Sequence, residues 1–295
     1  MICTLCPRRC AAERTEETGR GVCSEGTLPR IARAALHRWE EPCISGRHGS
    51  GAVFFSGCPL RCRYCQNEEI SRGRAGEVVS CERLADIFRE LEDQGAENIN
   101  LVTAGHFAPA VIRALSIYRP RVPVVFNTSG YESLETLRSL EGLVDIYLPD
   151  LKYLDEKTAA WLSGAADYPR VAVAAIHEMI RQTGPALLDE EDRMISGTLI
   201  RHLVLPGMVT RSLQVLTFIR DEFPGIPVSV MGQYIPCGEA LDIPGLDRKL
   251  TGKEYARVIR HAAQIGLEGF RQMAGADSRC YVPAFDGTGV KEKNR

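Results

Sequence analysis

Cys58, Cys62 and Cys65 stand in Ser-Gly-Cys-Pro-Leu-Arg-Cys-Arg-Tyr-Cys-Gln-Asn, residues 56–67, and set three thiols at Cys-x3-Cys-x2-Cys spacing in one short loop. An iron–sulfur cube has four irons, each needing one ligand, so three cysteines leave one iron open to a group that is not protein. An open metal position marks a reaction site rather than a structural one. A structural zinc knuckle is the competing reading, but a closed zinc site takes four protein ligands and this loop offers three.

The spacing, with the aromatic Tyr64 just before the third cysteine, resembles that of the radical S-adenosylmethionine (SAM) enzymes. The resemblance implies that a [4Fe-4S] cluster held by Cys58, Cys62 and Cys65 chelates SAM through its amino and carboxylate groups. One electron then cleaves a sulfur–carbon bond and gives a 5′-deoxyadenosyl radical, which takes a hydrogen atom from an unactivated carbon. Tyr64 is expected against the adenine, and flavodoxin or ferredoxin is expected as electron donor.

Such a loop needs a scaffold that presents it at a strand end. From residue 51 onward apolar runs at 53–55, 99–102, 122–126, 144–148, 199–205 and 228–231 read as strands. Helix patterns at 82–94, 109–118, 134–140, 171–182 and 212–223 separate them, and Thr251-Gly252-Lys253-Glu254 is a capping box that opens another. Alternating strand and helix predicts a parallel sheet covered by helices, and six units predict an α/β partial (β/α)6 barrel, the fold the resemblance also implies. Active groups then belong just after the strand C-termini. Residues 184–198 interrupt the pattern and read as a surface hairpin. The expected organisation is a cysteine-rich metal-binding segment at 1–40, the barrel at 41–286 and a tail at 287–295.

Each strand end carries polar residues that a bland barrel does not need. After the second strand, Thr103-Ala104-Gly105-His106 occupies the place of a Gly-Gly-Glu stretch that receives the SAM amino group in most of these enzymes; backbone at Ala104 and Gly105 is expected to serve instead. His106 is either a site residue or the cap of the following helix. After the third and fourth strands, Asn127-Thr128-Ser129-Gly130 and Pro149-Asp150-Leu151-Lys152 resemble the Asp-Thr-Asn-Gly and Asp-Leu-Lys of pyruvate formate-lyase activating enzymes. That resemblance places Asn127, Ser129, Asp150 and Lys152 near SAM and a candidate monovalent cation. Asn127 in place of aspartate removes one charge from such a cation site. Arg201, in an otherwise apolar strand ending in Leu-Pro-Gly, is expected to pair with the SAM carboxylate, since a buried guanidinium needs an anion. His202, one residue on, faces the other side of the sheet and is expected to be a packing residue. Gln233, Tyr234 and Cys237 follow the sixth strand and join His106 as candidates for the catalytic position.

Cys3, Cys6, Cys10 and Cys23 supply four further thiols in a segment too short for its own apolar core, so a metal is expected to stand in for the core. Zinc and a second iron–sulfur cluster both fit, and Cys43 is a further candidate ligand. His37 and Cys81 read as structural; Cys280 has no assigned role. With Glu-Glu-Pro-Cys-Ile-Ser-Gly at 40–46, these motifs resemble a group of bacterial and archaeal homologues of the pyruvate formate-lyase activating protein. The resemblance covers nearly the whole chain and implies a glycyl radical enzyme, or another protein or peptide, as partner. A radical SAM enzyme acting on a small molecule or peptide is the alternative, and an iron–sulfur or zinc redox sensor without turnover is another.

The remaining composition is ordinary. Of 295 residues 44% are hydrophobic and 25% charged, with net charge −2, so no polyanion is expected as partner. Residues 1–39 carry seven Lys/Arg against four Asp/Glu, too mild an excess for nucleic acid. No apolar run reaches the ~20 residues of a membrane span. The start lacks a signal-peptide pattern, and eleven cysteines read as ligands and free thiols of a cytoplasmic protein.

Overall fold

Strands that are buried on both faces are mostly apolar, whereas the helices that cover them are apolar along one stripe, and this difference sets the course of the chain. The computed structural model describes residues 2–72, 75–272 and 283–292; Cys280 lies outside them. The elements run β1 (Arg30–His37), α1 (Pro42–Ser45), β2 (Ser50–Phe55), α2 (Glu68–Arg72), β3 (Glu77–Val78), α3 (Cys81–Asp93), β4 (Ile99–Val102), α4 (Ala108–Ile117), β5 (Val124–Thr128), α5 (Leu134–Ser139) and β6 (Ile146–Pro149). They continue as α6 (Glu156–Ser163), α7 (Tyr168–Thr183), β7 (Leu187–Leu188), β8 (Met194–Thr198), β9 (Ile200–Leu203), α8 (Val209–Glu222), β10 (Val228–Met231), α9 (Gly252–Gln264) and β11 (Gly269–Arg271).

Among the described residues the strands pair in the order β3-β1-β2-β4-β5-β6-β8-β7, with β11-β10-β9 as a second set. Pairing is parallel from β2 through β4, β5 and β6 to β8, and again across β9, β10 and β11. A parallel bridge between Asp150 and Arg201 links the two sets just beyond β6. The result is an α/β partial barrel in which all six expected strands are present.

Strand residues alternate between two environments, as a period of two requires. Val53, Phe55, Leu101, Phe126 and Tyr147 pack outward in one core with Leu84, Phe88, Val111 and Leu137 of the covering helices. Their alternates Asn100, Asn127, Asp150 and Arg201 turn inward and meet one another, as described below. Local signals hold the helices in register: Ser80, Ser133 and Asp155 accept from the backbone N–H groups of Arg83, Thr136 and Thr158, and Thr251 with Glu254 completes the expected capping box. Each such cap is worth about 1 kcal/mol.

The structure departs from the sequence reading in three places. β1, within the residues assigned to the cysteine-rich segment, pairs antiparallel with β2 and extends the sheet. The 184–198 hairpin forms, with β7 antiparallel to β8, but it is not only a surface feature: β8 also pairs with β6 and leads through Leu199 into β9. Met194 and Thr198 are buried accordingly. Residues 287–290 of the expected tail lie on β1, where Gly287 N–H donates to Ala32, Thr288 C=O accepts from Ala34 and Val290 enters the core.

Candidate active site

The three-cysteine loop joins β2 to α2 at the C-terminal end of the parallel strands. Gly57, with φ of 78°, turns the chain out of β2 in a conformation that disfavours any side chain. Cys58, Cys62 and Cys65 are each half-buried. Each sulfur is hydrogen-bonded: Leu60 N–H donates to Cys58 Sγ at 3.4 Å, Ser71 Oγ–H to Cys65 Sγ at 3.3 Å, and Ser163 Oγ lies 3.0 Å from Cys62 Sγ. Burial and the neighbouring cysteines push the Cys58 thiol up, and burial and Cys62 push Cys65 up to about 11. Each thiolate makes its neighbours harder to ionise unless a cation compensates them. Cys58, Cys62 and Cys65 act on one another electrostatically, and three hydrogen-bonded thiols on one loop are the donor set of a cluster that takes three protein ligands, although their sulfurs do not gather around a single metal position here.

Below the loop the barrel interior holds a connected polar network. Asp150 accepts from Lys152 Nζ at 2.6 Å and from Arg201 Nε at 3.1 Å. Arg201 also donates to Asn127 Oδ1 at 2.6 Å and reaches Glu40 Oε2 at 3.5 Å. Glu40 Oε1 accepts from Asn100 at 3.2 Å and from Asn127 at 3.3 Å. Burial works against the Asp150 carboxylate, but Lys152 and Arg201 hold it below the usual range. Glu40 is less well compensated: burial and the nearby Glu41 and Asp150 outweigh Arg201 and push it up to about 7.

The N-terminal segment lies over the mouth. Arg8 donates to Pro59 and Gly164 carbonyls, Arg14 to the His106 carbonyl, and Leu5 C=O accepts from Ser133. Cys3 and Cys6 are buried, Cys23 is half-buried and Cys10 is exposed. Burial drives Cys6 up to about 12, with Glu132, Cys23 and Cys3 adding to it, which places these groups near one another. Among the described residues no three His, Cys, Asp or Glu side chains gather around a single metal-ion position.

Of the other sequence candidates, Ala104 is buried and Gly105 lies against Glu132, where a Cβ would overlap its carboxylate. His106 does not cap α4. Its Nε2 lies 2.8 Å from Ser56 C=O, its Nδ1 has no partner among the described residues, and burial lowers it to about 4. His202 is a packing residue bonded to Leu151 C=O and Ser212 Oγ. Tyr64 is buried, its hydroxyl paired with that of Tyr153. Ser129 accepts Tyr168 O–H through its carbonyl. Gln233 accepts from Gln272 at 2.6 Å, Tyr234 is buried with its hydroxyl on Leu246 C=O, and Cys237 Sγ donates to Cys65 C=O at 3.3 Å. His37 packs edge-on against Phe54, Cys81 begins α3, and Cys43 lies in an apolar cluster with Val125 and Leu148. Glu40, Glu41, Asn100 and Glu132 were not anticipated. Glu40 and Glu41 open a motif that was legible, but neither had been given a role.

No helix among the described residues is long and apolar enough to cross a membrane. Over 282 residues the chain is 28% identical to an uncharacterized protein of Methanocaldococcus jannaschii, covering 90% of this chain and 75% of the relative. Its fold is similar to that of a radical SAM methyltransferase from Sphaerobacter thermophilus, with a TM-score of 0.53 at 13% identity over 77% of this chain and 68% of the other. The family model of the radical SAM superfamily matches residues 52–207, which begin in β2, contain the three-cysteine loop and Arg201, and make up more than half of the sequence. This chain therefore belongs to the radical SAM superfamily, whose members use a [4Fe-4S] cluster and SAM.

Proposed function

We propose that the chain cleaves SAM reductively at a cluster held by Cys58, Cys62 and Cys65 and removes a hydrogen atom from a substrate admitted to the barrel. When bound, the cluster and SAM supply a 5′-deoxyadenosyl radical by one-electron cleavage of a sulfur–carbon bond. The observation that carries the reading is the loop of hydrogen-bonded cysteines, whose thiols feel the charge of Lys152 in the Arg201–Asp150–Lys152 network. Arg201 offers its guanidinium to the SAM carboxylate. Asp150 keeps Arg201 and Lys152 charged and oriented between turnovers. Glu132, beside Gly105, would supply for the SAM amino group the acceptor that the second strand end lacks. A zinc ion or second cluster on Cys3, Cys6, Cys10 and Cys23 would brace the mouth once those thiols were drawn together.

Two classes of hydrogen donor fit. A glycyl radical enzyme is the partner suggested by the Asp-Leu-Lys match, and Asn127, turned into a bridge between Arg201 and Glu40, makes the candidate cation site weaker here. A small molecule or peptide is favoured by the charged floor of the barrel. The enzyme is reconstituted anaerobically, given SAM and a strong reductant, and assayed for 5′-deoxyadenosine; its formation supports the reading, and its absence with an intact cluster contradicts it. Deuterium passed from a labelled candidate into 5′-deoxyadenosine then names the donor.

A further inference from the structure

α1 plugs the lower end of the barrel: Cys43 and Ile44 pack against Val125, Ile146, Leu148 and Leu199. The two residues before it, Glu40 and Glu41, form the floor beneath the Arg201 network. Arg201, Glu40, Asp150 and Lys152 each keep 12–15% side-chain exposure, so solvent reaches this interior. Their charges do not balance. Glu40, Glu41 and Asp150 bring three carboxyl groups against Arg201 and Lys152, Lys152 is already engaged by Asp150, and Glu40 is held partly in its neutral form for want of a further cation.

Two acceptors on this floor have no partner among the described residues. Glu41 is 8% exposed, and its Oε2 is buried and unbonded; Asn100 is 0% exposed, and its Oδ1 is buried and unbonded because its Nδ2 is turned to Glu40. A buried acceptor without a donor costs about 1–3 kcal/mol, and an ionised one more. Water satisfies the hydrogen bonds but not the charge. An anion meets only acceptors. A primary ammonium is a compact cation with three N–H donors and no acceptor, and so answers both deficits at once.

We infer that Glu40, Glu41 and Asn100 form a subsite for a primary ammonium group of the substrate, which fixes that end on the barrel floor and leaves its carbon chain facing the mouth. The inference rests on the radical SAM reading for what the bound molecule then undergoes, but the binding itself does not. It adds a substrate class, an amine-bearing small molecule or lysine-like side chain, to a site otherwise defined only by its cofactors.

The test is an anaerobic NMR titration of the reconstituted, SAM-loaded enzyme with n-butylammonium and, separately, with the neutral 1-butanol. Saturable binding of the ammonium, with the alcohol weaker by about tenfold or more, supports the subsite. Equal affinity for the two, or no saturable ammonium binding, overturns it without recourse to any variant. The isosteric Glu41→Gln, checked for an unchanged melting curve and cluster absorbance, is expected to weaken the ammonium about tenfold or more and the alcohol much less; a folded variant that binds the ammonium as tightly as wild type contradicts the assignment. Potassium at equal ionic strength is expected not to displace the probe, and displacement by potassium makes the floor an inorganic cation site instead. 5′-Deoxyadenosine formation by wild type is measured in the same preparation, so failure of the radical reading registers there and failure of the subsite registers in the titration.

Discussion

Arg201 and Asp150 meet twice: their side chains pair at 3.1 Å, and their backbones form the isolated parallel bridge that joins the two sets of strands, with Leu151 N–H donating to Arg201 C=O at 2.9 Å. One contact therefore positions the guanidinium inside the barrel and helps close the wall that encloses it. Asp150→Asn takes from the buried Lys152 its carboxylate partner and from Arg201 one of two, and a loss of about 3–5 kcal/mol in denaturant unfolding is expected. The native Asp150 carboxyl lies below its unfolded value, so its contribution is present above about pH 4 and lost as pH falls through the lowered native value. A stability profile whose acid limb is the same in Asp150→Asn and wild type contradicts this.

The hydrogen bonds to the cysteine sulfurs bear on redox poise. In the proposed cluster Ser71 and Ser163 would stabilise electron density on Cys65 and Cys62, which would favour its reduced state. Ser71→Ala and Ser163→Ala are each expected to lower the reduction potential. If about 1 kcal/mol of hydrogen bond differs between oxidation states, the shift is roughly 40 mV for one electron. EPR-monitored redox titration measures it; an unchanged or raised potential in both variants removes the sulfur contacts from the account.

Gly105 owes its identity to Glu132. Gly105→Ala drives a methyl into the Glu132 carboxylate and is expected to destabilise by about 1–3 kcal/mol and to weaken SAM binding. Pairing it with Glu132→Ala relieves the overlap, so stability recovers and SAM binding does not. Recovery of both in the double variant would show that Glu132 has no part in holding SAM.

Glu132 and His202 give opposite pH signatures. Burial lifts Glu132 to about 7, so the native state holds a proton that the unfolded chain has released, and stability declines as pH rises from about 4.5 to 7. Burial lowers His202 to about 4, so the unfolded chain takes a proton that the native state refuses, and stability declines as pH falls from about 6.5 to 4. Each contributes about 1.4 kcal/mol per pH unit inside its window. Unfolding midpoints across pH 4.5–6.5 are expected to fall more steeply toward acid in Glu132→Gln than in wild type, and less steeply in His202→Asn. Parallel profiles for all three proteins contradict both assignments.

The strands and most helices were legible because short apolar runs and the Thr251–Glu254 capping box are local signals that the tertiary structure leaves intact. β1 was not, because Arg30-Ile-Ala-Arg-Ala-Ala-Leu-His mixes helix formers with charge and becomes a strand only by pairing with β2. The cysteine loop and the strand-end residues Asp150, Lys152 and Arg201 could be read from spacing and from a charge placed in an apolar run. Glu40, Glu41 and Glu132 could not. An acidic pair before Pro42 reads as the exposed start of a helix, and only the fold turns Glu40 toward Asn100, Asn127 and Arg201.

The most direct test of the central claim is the EPR spectrum of the reduced wild-type cluster with and without SAM, beside a Cys58/Cys62/Cys65→Ala variant. A cluster with one iron open to SAM predicts a signal whose g values shift when SAM is added. In the triple variant that SAM-sensitive signal is lost with about four irons. A wild-type signal that ignores SAM, or one that survives unchanged in the variant, contradicts the assignment.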